Sequence, residues 1–155
     1  MKGHFQWFVL IALLSTTACS RSPSPVAITP AAPGNLAKED LDKLQGTWRI
    51  ESSVWNGVTE RGVALRATLI IQGDKLTWVD EDGIHYQEDT LKLMPDQSPR
   101  AIDTWNKGKA VPGIYSWEGD AFRWCSAGGE NRVRPTTFSS KPGSKHSLML
   151  LRRQK

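Results

Sequence analysis

Cysteine is scarce in this chain: its 155 residues hold two, Cys19 and Cys125. With Cys19 at the end of an apolar leader, that count excludes a disulfide-dense scaffold. Histidine is as scarce. Of the three, His4 lies in the leader, while His85 and His146 have no metal-ligand spacing. No metal site or cofactor is therefore expected, and no nucleophile–base pair that would mark an enzyme. No apolar run reaches the roughly 20 residues that span a bilayer as a helix. Charge is mild, at +4, and the basic residues form no stripe interleaved with aromatics, which argues against nucleic-acid binding.

The first residues are an address. Lys2 supplies a positive start, Phe5 to Leu14 an apolar stretch, and Ser15-Thr16-Thr17-Ala18 a small-residue exit. The pattern predicts a signal peptide over 1–18. Cleavage before Cys19 suits ordinary secretion, and the Ala18-Cys19 junction also resembles a bacterial lipobox, with Thr16 where that box usually carries Leu. The lipobox reading implies acylation of Cys19 and a membrane partner through the lipid. By the sorting rule known for such lipoproteins, Ser20 after the Cys favours the outer membrane over the periplasmic face of the inner one. The alternative is a secreted protein. Residues 19–37, with Pro23, Pro25, Pro30 and Pro33 among Ser and Ala, cannot bury a core and are expected to be a tether.

From residue 38 onward the chain is long enough for one domain. A short helix is expected around Lys38 to Leu44, capped by Asn35 and ended by Gly46. The period then changes to two. Trp48, Ile50, Ser52 and Val54 share one face, and Arg49, Glu51, Ser53 and Trp55 the other. Ala67, Leu69 and Ile71 form the next inner face, followed by Leu76 and Trp78. Ile84 and Tyr86 continue inward, with a bulge near Glu88 or Asp89 before Leu91 and Leu93. Ala101 to Trp105, a hairpin of Gly113–Trp117 with Ala121–Cys125, and Ser147 to Arg152 complete the series. Seven or eight short strands at even spacing predict an all-β sandwich or barrel.

With the strands laid out, the chain resembles the planctomycete-type small secreted domain family of unassigned function. The matching stretches are Leu44-Gln45-Gly46-Thr47-Trp48, Pro99-Arg100-Ala101-Ile102-Asp103, Gly113-Ile114-Tyr115, Gly119-Asp120, Arg134-Pro135-Thr136 with Phe138, and Pro142-Gly143-Ser144. That family is similar to lipocalins. The resemblance implies a small antiparallel up-and-down β-barrel of about eight strands with a short N-terminal helix. It also implies that Gly46 and Trp48 meet Arg152 or Arg153 where the barrel closes.

Such a barrel can be filled by its own side chains or can hold one small ligand. Trp78, Tyr86, Phe122 and Trp124 are the inward aromatics expected to meet a small apolar or amphipathic ligand. With a filled interior, the outer face would instead serve an envelope protein. Seven Trp are present, Trp7 in the leader, and Trp55, Trp105 and Trp117 would form a docking patch if exposed together. Asp80-Glu81-Asp82-Gly83 reads as a turn rather than a calcium loop. Cys125 reads as a buried small hydrophobe. Asp103 is compatible with a turn-stabilising role or with a site.

Overall fold

The structure is a computed structural model that describes residues 33–130 and 132–155. The signal peptide expected over 1–18, the lipidation expected at Cys19 and the tether over 19–32 lie outside the described residues. Among the described residues, no helix is long and apolar enough to cross a membrane.

Helix α1 (Pro33–Leu44) starts two residues before the expected cap. Pro33 is suited to a first helical position, where its missing N–H costs nothing. Residues 33–37, expected as the end of the tether, are thus the first turn of this helix. Nine strands follow: β1 (Gly46–Trp55), β2 (Val58–Thr59), β3 (Thr68–Gln72), β4 (Lys75–Val79), β5 (His85–Met94), β6 (Ala101–Asn106), β7 (Lys109–Glu118), β8 (Ala121–Ala127) and β9 (His146–Arg153). All pairings are antiparallel: β1 pairs with β2 and with β3, each strand from β3 to β9 pairs with the next, and β9 returns to β1. With the two-residue β2 left outside the ring, this is a closed up-and-down barrel of eight strands. Closure leaves no open sheet edge around the ring.

Two irregularities set which side chains face inward. In β1 the register with β9 shifts between Ile50 and Ser52. The extra residue turns the phase, so Ser53 is buried and Trp55 faces the interior, not Ser52 and Val54 as strict alternation predicts. In β5 the slip lies at Tyr86, between Gln87 and His85, rather than near Glu88 or Asp89. Ile84 is consequently outside the strand and exposed, Tyr86 stands at the rim, and Gln87, Asp89, Leu91 and Leu93 form the inner row.

α1 plugs one end. Leu41 and Leu44 pack into a cluster with Trp48, Leu69, Ile71, Tyr115, Phe122 and Leu151. The last carbonyls of a helix lack intrahelical partners, and here the side chains of Gln45, which donates to Leu41 O at 2.8 Å, Trp48 and Arg153 serve them. Trp48 Nε1 donates to the oxygen of Leu44 at 2.8 Å. The Arg153 guanidinium donates to the oxygens of Lys43 and Gln45. The same guanidinium lies 4.4 Å from the Trp48 ring centroid. Arg153, not Arg152, is therefore the residue that meets Trp48. Arg152 points outward to Glu51 and Asp120. Gly46 has φ +114°, and a Cβ there would stand 2.8 Å from Arg153 Nη1, so both conformation and space require glycine.

The plug is locked by Asp40, which is 7% exposed. Its carboxylate accepts from Arg100 Nη1 at 2.7 and 2.9 Å, Tyr115 Oη at 2.6 Å and Trp117 Nε1 at 3.1 Å. Burial and then the bond to Asp40 push the Tyr115 phenol well above its ordinary range.

The described residues of 128–145 carry no strand, and members of this segment bind the outer surface of β6–β8. Arg134 donates to Gly113 O at 2.6 Å and to Asp103 Oδ1 at 2.7 Å. Pro135 is fully buried, and the Cys125 thiol reaches Ser139 O at 3.7 Å. Outward Ile114 and Cys125 are therefore buried too. Asp103 serves this strap, and Glu118 pairs with Arg123, so the two carboxylates do not form a site.

Candidate functional site

The end of the barrel away from α1 is hollow. A cavity of about 410 Å³ opens there, within the size range of small-molecule sites. It exists because β5, β6, β8 and β9 supply short polar residues at inward positions: Asp89, Thr104, Ser126 and Ser147. Larger side chains at those positions would fill the ring. Trp78, Trp124 and Met149 form its walls, with Trp55 and Tyr86 at the mouth.

Of the aromatics expected to meet a ligand, Trp78, Tyr86 and Trp124 line this cavity and Phe122 does not. Phe122 is 1% exposed and belongs to the plugged end, between Trp48, Tyr115 and Trp117. It shares the inward face of β8 with Trp124, but lies two residues nearer α1. Gly46, Trp48 and Arg153 also lie at the plugged end, where they are structural.

Trp78 and Trp124 stack with centroids 6.3 Å apart and 19° between planes. Trp124 is 3% exposed, and its Nε1 is buried with no hydrogen-bond partner among the described residues. Buried indole N–H groups are normally paired. Trp55 is 41% exposed and packs against Gly128, where a side chain would collide with its ring. Trp105 faces outward on β6, and Trp117 packs on Phe122 under Lys43, whose ammonium is 4.1 Å from the ring. Trp55, Trp105 and Trp117 thus occupy three separate places and form no common patch.

The polar floor centres on Asp89, which is 5% exposed. Gln87 Nε2 donates to it at 2.8 and 3.1 Å, and Asn106 Nδ2 at 2.7 Å. Sequence reasoning missed this carboxylate because it placed the bulge on it. Counting alternation back from Leu93 and Leu91 would have put Asp89 and Gln87 inside. Tyr86, at the rim, has its phenol raised by partial burial and then by the charge of Asp80. Asp80 itself is engaged in its turn, accepting from the main-chain N–H of Asp82 at 3.0 Å and of Ile84 at 2.8 Å. Among the described residues, no group of three or more His, Cys, Asp or Glu could hold a metal ion. Burial raises the Cys125 thiol above its ordinary value, which opposes thiolate formation.

Among solved structures, the chain is similar to a mutant of the fluorescent protein UnaG. The identity is 14%, the match covers 74% of this chain and 99% of that one, and the TM-score is 0.38. No family model matches the chain, and no curated protein does.

Proposed function

We propose that this protein is a binding module, held at a bacterial membrane by an acylated Cys19, that takes one small amphipathic molecule into the hollow end of its barrel. The observation that carries the binding reading is the cavity of about 410 Å³, with Trp78, Trp124 and Met149 as apolar wall and Asp89, Thr104 and Ser126 as polar floor. Apolar lining with a few convergent polar groups is the usual composition of a small-molecule site. The division of the barrel supports it as well. One half is packed tightly enough to hold the fold, which leaves the other half able to stay open.

Thermal unfolding in the presence of three naphthalene compounds tests binding: 1-naphthylmethylamine, 1-naphthalenemethanol and 1-naphthoate. A ligand at 100 times its dissociation constant stabilises by about 2.7 kcal/mol. Saturable stabilisation by any of the three, abolished when Ser147→Phe fills the cavity, supports the reading. No response to all three overturns it.

The anchor is supported by the leader pattern and by the Cys immediately after it. Diacylglycerol on a cysteine supplies two chains, enough for stable anchoring where one is not. Intact-mass measurement of the protein from a membrane fraction decides the matter. An unmodified Cys19 at the mature N-terminus refutes acylation and leaves secretion.

A further inference from the structure

At the cavity floor Asp89 has no cationic partner among the described residues. Asp89 is one of two buried carboxylates on inward or plugging positions, and the contrast with Asp40 is direct. Asp40 has the Arg100 guanidinium at 2.7 Å. Among the described residues, Asp89 has only the amide groups of Gln87 and Asn106. The outer phase of β4 and β5 holds the neighbouring cations. Lys75 is spent on Glu88 at 3.3 Å, and Lys92 is exposed. Among the described residues, the one ionisable side chain lining the cavity apart from Asp89 is the Tyr86 phenol. A buried charge without a counter-charge is costly, and that cost favours any occupant that brings the opposite sign.

We propose that the ligand of this cavity is a cationic amine with a flat apolar body, its ammonium seated on Asp89 and its body against Trp55, Trp78 and Trp124. This assignment rests on the reading of the cavity as a binding site and narrows it to one chemical class. The surrounding groups favour the same class. Gln87 and Asn106 both turn their NH₂ groups to the carboxylate, which leaves their carbonyl oxygens as acceptors. An ammonium has three N–H donors and no acceptor. The aromatic walls add attraction for a cation, because a ring face carries partial negative charge. A ligand carboxylate would instead meet Asp89 as a like charge in a place of low dielectric, so fatty-acid-like molecules are selected against.

Calorimetric titration of the whole domain with the same three naphthalene compounds tests the charge preference. They share a ring system and differ in the sign of one group. The expected result is that 1-naphthylmethylamine binds at least tenfold more tightly than 1-naphthalenemethanol, and that 1-naphthoate binds most weakly. Asp89→Asn, nearly the same shape without the charge, is expected to remove the preference for the amine while retaining binding of the alcohol. The comparison within the unaltered protein needs no variant, so it stands even where Asp89→Asn fails to fold. Equal or tighter binding of the alcohol or the carboxylate overturns the amine assignment and leaves the binding module standing. A preference for the amine that persists in folded Asp89→Asn also overturns it. Binding of none of the three overturns both.

Discussion

Tyr115 Oη donates to Asp40 at 2.6 Å, joining the plug helix to the far wall of the barrel across 75 positions of sequence. Arg100 and Trp117 meet the same carboxylate. Removing it strands three donors, one of them charged. Asp40→Ala is expected to cost about 3 kcal/mol, the lower end for a broken buried pair because Arg100 is partly solvated. Tyr115→Phe, which removes one neutral donor, is expected to cost about 1 kcal/mol. Urea unfolding followed by tryptophan fluorescence measures both. Equal small effects would show that Asp40 does not lock the helix.

The raised Tyr115 phenol fixes how stability responds to alkali. Below its ordinary pKa of 10.0 the phenol is protonated in both states, and its contribution is full. Above that value the unfolded chain releases the proton while the folded chain keeps it, so stability falls as pH rises. Cys125 acts with the same sign from its ordinary 9.0. The urea midpoint is expected to decline from about pH 9 upward, and Tyr115→Phe to flatten the decline above pH 10. A midpoint independent of pH up to 11 would contradict the burial of both groups.

Arg153 and Arg152 are adjacent and chemically identical, yet their contributions differ. Arg153→Ala loses the Trp48 ring contact and two bonds to the helix end. It is expected to destabilise by about 1–3 kcal/mol. Arg152→Ala loses exposed ion pairs to Glu51 and Asp120, worth under about 1 kcal/mol. Arg153→Lys should not restore the loss, because one ammonium cannot reproduce the planar fork. Chemical denaturation of the three variants gives the comparison.

Gly128 offers a test of the mouth that spares the core. A methyl group there would collide with the Trp55 ring. Gly128→Ala is expected to displace Trp55, shift its emission and weaken binding of 1-naphthylmethylamine several-fold. The unfolding midpoint should change by less than the change for Arg153→Ala. Unchanged emission and affinity would show that Trp55 is not held by this contact.

The closed end was legible in the sequence because its residues obey local rules. Gly46-x-Trp48 begins a strand of plain alternation, and Leu69, Ile71, Leu91 and Leu93 keep that phase. The open end was harder to read because each bulge inverts the pattern beyond it. Trp55 moves inside through the slip after Ile50, and Asp89 stays inside because the slip falls at Tyr86. Phe122 and Trp124 illustrate a different limit. Both point inward from β8, and only the position of α1 decides which meets solid core and which meets space. Asp40 was invisible for a simpler reason: its partners stand 60, 75 and 77 residues away.

The slip after Ile50 makes β1 a splice of two half-strands. The first half lies against β3 and carries Trp48, and the second lies against β2 and carries Trp55. The two indoles belong to opposite ends of the molecule, one sealing and one admitting. Paired without that slip, the same residues would alternate plainly and turn the Trp55 ring to solvent. A one-residue slip in the pairing of the first strand therefore decides whether the open end of the barrel has an indole at its rim.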